Sequence, residues 1–204
     1  MRDDQARLTR GRILDAAIAL YGERGYSRTT MAAVAAAAKV STQTIYNTFG
    51  GRPALLKAVY DAQLAGDDDP VAMVDRPLMA GLRTERNPVE LLRLYAQVGR
   101  VLIDRVGAFV LVLEAGAAAG DTDLAAHIET IDGERLIGCQ HIVDRLTELE
   151  ALSPTVSREQ AIDTIWTLNS VQVWNLLANR RGWSGDEYQE WVGAAMCAAV
   201  LGEG

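Results

Sequence analysis

Residues 7–60 read RLTRGRILDAAIALYGERGYSRTTMAAVAAAAKVSTQTIYNTFGGRPALLKAVY, and apolar side chains recur along this stretch with helical spacing. A first helix over residues 8–24 would bring five of them to one face: Ile13, Leu14, Ala17, Ile18 and Tyr21. Gly25 is suited to the position just past the end of this helix, because glycine adopts the left-handed conformation without strain. The segment therefore begins with an amphipathic helix.

Two short helices follow this first helix. Thr29 or Thr30 offers a hydroxyl that can cap a helix over residues 31–38, and Ser41 can cap a third helix over residues 42–48. Two short helices joined by a tight turn can place the second in the major groove of DNA, whose width of about 12 Å admits one α-helix. The pattern favours a helix-turn-helix.

The same stretch resembles the TetR family of bacterial transcriptional regulators. The resemblance rests on motifs in order along the chain: Ile13-Leu14-x-Ala-Ala, Gly25-Tyr26-x-x-Thr29-Thr30, Val34-Ala35, Val40-Ser41 and Tyr46-x-x-Phe49-x-x-Arg52-x-x-Leu55-Leu56. It implies a three-helix helix-turn-helix DNA-binding domain over residues 1–60, followed by an α-helical ligand-sensing and dimerisation domain over residues 61–204. We therefore expect an all-α chain of about nine helices that binds double-stranded operator DNA as a homodimer.

Two positions depart from the usual pattern of the family. Lys39 stands where glycine is more frequent, and Gly50-Gly51 stands where a lysine is common. If the turn at Lys39 has a left-handed backbone, a residue with a Cβ costs about 1–2 kcal/mol there. The two glycines remove possible cationic contacts to phosphate, which lowers the expected affinity for DNA.

The third helix is the candidate reader of base edges, because its polar side chains are short or planar hydrogen-bonding groups while Ile45 and Phe49 point inward. We expect the DNA-contacting set to be Thr30, Ser41, Thr42, Gln43, Thr44, Tyr46, Asn47, Thr48 and Arg52. For three of these a second role is open. Thr30 can simply cap its helix, Tyr46 can be a core aromatic, and Arg52 can be a solvated surface charge instead of a phosphate ligand beside a helix N-terminus.

Charge is distributed unevenly along the chain, although the net charge is −7. Residues 1–60 hold nine Lys and Arg against four Asp and Glu, or +5, and residues 61–204 hold eleven against twenty-three, or −12. A basic module joined to an acidic body is a plausible footprint for DNA binding. Cys139 and Cys197 form no metal or disulfide pattern, and neither a signal peptide nor a membrane-spanning run is evident. We expect a cytoplasmic protein with no membrane partner.

Helical spacing continues beyond a turn-rich connection over residues 66–87, with helices expected at about 89–106, 108–118, 124–150, 158–179 and 186–201. The last two carry more apolar surface than one monomer face needs. In the family such helices form a four-helix bundle with the twin subunit. The expected dimer interface comprises Ile162, Ile165, Trp166, Val173, Leu177, Trp191, Ala195 and Ala198.

A ligand pocket is expected where polar or aromatic groups interrupt the apolar helices of the body. Its candidate residues are Tyr95, Phe109, Glu114, Gln140, Trp166, Asn169 and Trp174, although an ordinary core would look similar. The ligand would be a small, mostly apolar molecule. His127 and His141 lack the spacing of metal ligands, so we expect no metal and no cofactor.

Three classes of protein remain open on the sequence. A repressor released from its operator by its ligand is the favoured interpretation, because family members usually occlude a promoter. A ligand-independent or architectural DNA-binding protein is the second. A helical enzyme is the third, but the sequence has no GxSxG, P-loop, HExxH or GxGxxG motif and no evident catalytic residues.

Overall fold

The computed structural model describes residues 2–202, with side chains from Gln5 onward, and this part of the chain is all-α as expected. It holds ten α-helices and no β-strand; one isolated antiparallel bridge joins Leu152 and Leu201. The helices are α1 (Arg2–Arg24), α2 (Met31–Ala38), α3 (Thr42–Phe49), α4 (Arg52–Ala65), α5 (Ala80–Thr84), α6 (Pro88–Ala118), α7 (Thr122–Glu148), α8 (Arg158–Leu168), α9 (Val171–Trp174) and α10 (Gly185–Val200).

The chain divides into two compact units. Unit 1 comprises the chain up to Asp69 together with Ala108–Glu129, and unit 2 comprises Pro70–Gly107 and the chain from Thr130 onward. Helices α6 and α7 each contribute residues to both units. Unit 1 therefore contains not only the helix-turn-helix segment but also the turn that joins α6 to α7.

The core of unit 1 forms where α1 packs against α2 and α4. Ile13 and Ala17 of α1 are fully buried, as are Leu55 and Val59 of α4. Each fully buried Leu, Ile or Val side chain contributes roughly 1.5–3 kcal/mol relative to an exposed one. The buried face of α1 is the face that the sequence pattern predicts.

The local signals for the first helix ends are confirmed. Gly25 has φ +77°, in the left-handed region, and ends α1. The Thr30 hydroxyl accepts a hydrogen bond of 3.1 Å from the Ala33 amide and caps α2, while Thr29 is buried and donates to the Gly25 carbonyl. Ser41 accepts a bond of 3.0 Å from the Thr44 amide at the start of α3.

Two predicted helix boundaries in the body are wrong. No break occurs at Gly107, because α6 runs without interruption from Pro88 to Ala118. Gly107 is buried, and a Cβ there would lie 3.4 Å from the indole of Trp174 and 3.1 Å from Ile103. The glycine serves close packing, and that packing outweighs the helix propensity cost of about 1 kcal/mol.

The second correction concerns the helix expected over residues 158–179. It stops at Leu168, Asn169 leaves the helical conformation, and Ser170 caps a new short helix, α9, followed by a π-helical turn at Asn175–Asn179. The Arg135 guanidinium donates to the carbonyls of Trp166 and Asn169 at 2.8 and 3.1 Å. Arg135 thus satisfies carbonyl groups that the break leaves without helical partners.

Candidate functional site

Helix α3 presents a polar outer surface on a buried anchor. Ile45 is 0 % exposed and fixes the inner face, whereas Gln43, Tyr46 and Asn47 are exposed to solvent. Tyr46 is 46 % exposed, so the core role that the sequence left open for it is not the one it has here. A short helix held by one apolar anchor and a serine cap keeps its outer side chains exposed to solvent.

Several polar groups of this surface already pair with one another. The Gln43 amide nitrogen donates to the Asn47 side-chain oxygen at 2.8 Å, and the Thr48 hydroxyl donates to the Thr44 carbonyl at 2.8 Å. The hydroxyls of Thr44 and Ser41 lie 2.8 Å apart. Gln43 and Asn47 each carry a side-chain amide, the group that can bond the edge of an adenine with both its donor and its acceptor.

Arg52, at the first position of α4, does not extend freely into solvent. Its Nη2 donates to the Tyr26 carbonyl at 2.7 Å, and its guanidinium lies 3.8 Å from the centre of the Tyr26 ring. Its Nη1 also lies 3.8 Å from the Asp123 carboxylate. Arg52 is therefore the centre of a contact between the α1–α2 loop and the start of α7.

The turn between α6 and α7 completes this contact inside unit 1. The Tyr26 hydroxyl donates to Asp123 at 3.0 Å, and the Ser27 hydroxyl donates to Asp121 at 2.7 Å. Burial, and then the bond to Asp123, raise the pKa of the Tyr26 phenol; the bond from Ser27 lowers the pKa of the Asp121 carboxyl. Sequence reasoning missed Ser27, Asp121 and Asp123 as site residues, since their partners lie more than ninety positions away along the chain.

Residues 13–59, which form most of this unit, match the family model described as bacterial regulatory proteins of the tetR family. The chain thus contains a tetR-family domain over these residues. The predicted resemblance is confirmed. Lys39 has a left-handed backbone with φ 55°, at the position where family members more often have glycine. No curated protein matches the chain in sequence.

Solved structures share the TetR fold over nearly the whole chain. A SmeT–triclosan complex has a TM-score of 0.71 and 20% identity, with 96% of this chain and 93% of that chain covered. A TetR regulator from Chloroflexus aurantiacus J-10-FL has a TM-score of 0.67 and 19% identity, with both chains covered in full. One from Haloarcula marismortui ATCC 43049 has a TM-score of 0.65 and 13% identity, covering 95% and 98%.

Unit 2 contains a cluster of polar groups around the end of α8. The Tyr95 hydroxyl lies 3.4 Å from the Cys139 sulfur and also interacts with Asn169, and the Arg135 guanidinium lies 4.9 Å from the Trp166 ring centre. Burial is the main cause that raises the pKa of both Tyr95 and Cys139. Three of the predicted pocket residues, Tyr95, Trp166 and Asn169, are thereby brought together.

Buried atoms of this cluster lack hydrogen-bond partners among the described residues. They are the indole nitrogen of Trp166, the side-chain oxygen of Asn169 and the hydroxyl of Tyr188. Tyr188 is 0 % exposed, and burial raises the pKa of its phenol. Tyr188, Arg135 and Cys139 were not among the predicted pocket residues, because their sequence context does not distinguish them from ordinary core or surface positions.

The other predicted pocket residues are Phe109, Glu114, Gln140 and Trp174. Phe109 and Glu114 belong to unit 1. Trp174 packs beside Gly107, and Gln140 is half-buried on α7. Two of the seven candidates therefore belong to unit 1 and five to unit 2.

The eight predicted interface residues differ in what they offer to a second chain. Ile162 and Ile165 are buried in this chain's own core, so they have no surface left for a partner. Trp191 and Ala198 on α10 are exposed; the remaining four, Trp166, Val173, Leu177 and Ala195, are half-buried. Trp191 meets Trp183 edge-on, with ring centres 6.0 Å apart.

An open groove of about 360 Å³ lies on the outer side of unit 2, lined by Thr155, Val156, Gln160, Asp163, Thr164 and Ala199. None of these residues was a predicted pocket residue. Their positions place the groove along α8 and the end of α10. It is a surface depression, and it does not include the polar cluster around Asn169.

The two histidines have unlike surroundings. His127 is buried against Tyr60, with ring centres 5.4 Å apart and its Nε2 atom without a hydrogen-bond partner in the described structure, whereas His141 is exposed. Among residues 2–202 no group of three or more His, Cys, Asp or Glu side chains is placed to hold a metal ion. Within the same residues, no helix is both long and apolar enough to cross a membrane.

Proposed function

We propose that this chain is a sequence-specific transcriptional regulator, a repressor that binds operator DNA through residues 1–60 and loses it when a small ligand binds within residues 61–204. One observation carries the DNA-binding part. In a TetR-family domain, α3 combines a fully buried Ile45 with an exposed row containing Gln43, Tyr46 and Asn47. A rigid helix with exposed hydrogen-bonding groups is what major-groove recognition requires.

The DNA contacts divide by chemistry. Gln43 and Asn47 are proposed to read base edges, because the amide of one Gln or Asn matches the donor and acceptor pattern of adenine. Thr30, Ser41, Thr42, Thr44, Tyr46 and Thr48 are proposed to contact phosphate or sugar, which fixes the register without reading sequence. Arg52 is the remaining member of the predicted set, and its partners within unit 1 favour a different role for it.

The proposed ligand site is the polar cluster of Tyr95, Trp166 and Asn169 in unit 2. Unpartnered buried polar atoms are costly, because each loses its bond to water and gains none in return. A mostly apolar molecule with one hydroxyl group would accept from the Trp166 indole and donate to the Asn169 oxygen. The structural similarity to a SmeT–triclosan complex supports a small-molecule ligand for this fold.

The proposed homodimer uses the outer surfaces of the last helices, where Trp191 and Ala198 are exposed. Small side chains at the surface of α10 would let a second helix approach closely. Two recognition helices related by twofold symmetry would read a pseudo-palindrome and gain specificity that one helix does not reach. Since its target is genomic DNA, we place the protein in the cytoplasm.

The direct test is titration of the purified protein with a fluorescent duplex from the region upstream of its own gene, followed by anisotropy, beside a scrambled duplex of equal length. We expect the upstream duplex to bind at least roughly a thousandfold more tightly at physiological salt, with affinity falling steeply as salt rises. Equal affinity for both duplexes would be the behaviour of an architectural protein. No binding to either at low salt would exclude a DNA-binding function.

A further inference from the structure

Five side chains of unit 1 form a single contact, which we call the Tyr26 clamp: Tyr26, Ser27, Arg52, Asp121 and Asp123. Two bonds run from the α1–α2 loop to the α6–α7 turn, from Tyr26 to Asp123 at 3.0 Å and from Ser27 to Asp121 at 2.7 Å. Tyr26 is 3 % exposed. These side chains therefore join segments that are almost a hundred residues apart in sequence.

Arg52 brings a third segment into the clamp. Its guanidinium donates to the Tyr26 carbonyl, lies against the Tyr26 ring, and faces Asp123 across 3.8 Å. A cation over an aromatic face and beside a carboxylate is favoured by both the ring quadrupole and the opposite charge. With those partners, the guanidinium is held against the α1–α2 loop and the start of α7 and is not an independent surface cation.

The acidic side of the clamp is itself held in place. The Asp121 carboxylate accepts bonds of 3.2 Å from the amides of Asp123 and Leu124, and so caps the first turn of α7. The Leu124 side chain fills the space that a Cβ on Gly116 would occupy, so α6 and α7 pack closely at this turn. Asp121 and Asp123 thus have fixed positions from which to orient the α1–α2 loop.

The clamp touches both ends of the helix-turn-helix. Tyr26 lies four residues before Thr30, the cap of α2, and Arg52 lies three residues after Phe49, the last residue of α3. A rotation of α2 and α3 relative to the α6–α7 turn would break the bonds to Asp121 and Asp123. The orientation of the reading helix is consequently tied to these two carboxylates.

We propose that the Tyr26 clamp positions α3 for operator binding, and that Arg52 is a positioning residue acting through Tyr26 and Asp123 and not a ligand of DNA phosphate. The inference rests on the proposed operator binding and goes beyond it. It assigns Asp121 and Asp123, acidic residues outside the family's DNA-binding segment, a supporting role in affinity for the operator.

The direction in which one substitution changes the affinity for the operator distinguishes this role from simple electrostatics. Asp123→Asn removes a negative charge close to the DNA-binding segment, so electrostatics alone predicts tighter binding to every duplex. The clamp predicts the opposite for the operator, a loss of at least about tenfold, as for loss of a charge-assisted hydrogen bond. Asp144→Asn, which changes net charge equally on the surface of unit 2, is the matched control and should leave operator affinity unchanged.

A double-substitution cycle tests the role of Arg52 by anisotropy against the operator and the scrambled duplex. We expect Arg52→Gln and Asp123→Asn each to weaken operator binding, the double variant to be no weaker than the worse single one, and the salt slope to stay that of wild type. A salt slope lower by about one in Arg52→Gln, with equal weakening on both duplexes, would show a phosphate contact and overturn the proposal. Additive effects would also overturn it.

Tyr26→Phe keeps the buried ring and removes only the hydroxyl. It tests the clamp if thermal unfolding shows that Arg52→Gln or Asp123→Asn fails to fold. We expect this variant to lose operator affinity while its affinity for scrambled DNA is unchanged. If the Tyr26→Phe and Asp123→Asn variants bind the operator as tightly as wild type does, the clamp is refuted and the proposed function is not. Wild-type protein that does not prefer the operator would refute the proposed function and the clamp with it.

Discussion

The side-chain amide of Asn169 occupies the space that a Cβ on Gly99 would need. Gly99 is buried in α6, and Asn169 ends α8 with its side-chain oxygen buried and unpartnered among the described residues. The absence of a side chain at position 99 therefore allows the break after α8 to pack against α6. The same amide interacts with the Tyr95 hydroxyl, so this close approach also holds the proposed ligand site.

Gly99→Ala should displace the Asn169 amide and destabilise the protein by roughly 1–3 kcal/mol, as overpacking of a tight core does. Urea unfolding followed by tryptophan fluorescence measures the change. Gly133→Ala is the matched control, because a Cβ there meets nothing within 4 Å on a helix. That variant should instead gain about 0.4–1 kcal/mol. Equal effects at the two positions would contradict the packing argument.

Lys39 has a left-handed backbone conformation that is strained for a residue with a Cβ but not for glycine. Because its φ is 55° and it bears a Cβ, Lys39→Gly should raise the free energy of unfolding by about 1 kcal/mol. Ala37→Gly, two residues earlier on the exposed side of α2, should lower it by about the same amount. Thermal unfolding of the two variants gives shifts of opposite sign if the backbone conformation is the cause. A lower stability for Lys39→Gly would show that the lysine side chain has a stabilising contact.

His127 should make stability depend on pH. Burial, and then the positive charge of Lys57, lower its pKa below the ordinary 6.5, against a smaller opposite effect of Asp61. The unfolded chain therefore binds the proton more readily than the folded one, so the free energy of unfolding falls as the pH drops below about 6.5 towards the lowered pKa. His127→Phe retains a ring against Tyr60 and removes this titration.

Urea midpoints measured between about pH 5 and 7 should vary less in His127→Phe than in wild type. His141→Phe makes the same change at an exposed site on α7 and should leave the wild-type dependence in place. The assignment to His127 would be wrong if the two variants had the same pH profile.

Gln43 should determine part of the operator sequence. Gln43→Ala removes the amide that pairs with Asn47, and operator binding should weaken by roughly 1–3 kcal/mol with relaxed preference at one base pair. Gln97→Ala removes a glutamine from an exposed position of α6 and should change nothing. Anisotropy on duplexes with each base pair changed in turn distinguishes lost specificity from a general loss of affinity, which would point to a phosphate contact instead.

The exposed alanine at position 198 should lie in the dimer interface. Ala198→Asp places an unpaired charge where a second α10 is proposed to pack, and light scattering at micromolar concentration should report a monomer. Ala108→Asp introduces the same charge at an exposed alanine of α6 and should remain dimeric. A dimer that survives Ala198→Asp unchanged would place the interface on another surface.

The amino-acid sequence alone determined the features whose causes are local. Thr30 and Ser41 cap their helices through amides only three residues away, and Gly25 ends α1 by its own backbone freedom. Helical spacing identified the buried face of α1, and ordered motifs identified the family of residues 13–59. These features can be predicted from the sequence because each interaction lies within one turn or one helix face.

Tertiary structure decided what depends on contacts between distant segments. The partners of Tyr26 and Ser27 lie on the α6–α7 turn, and no local pattern marks Arg52 as enclosed by them. Helical spacing places Ile162 on an apolar helix face, but it does not show whether that face is covered by its own chain or by a second chain. In each case the stabilising interaction is between groups that only the folded chain brings into contact. The sequence of one segment therefore does not identify its partner.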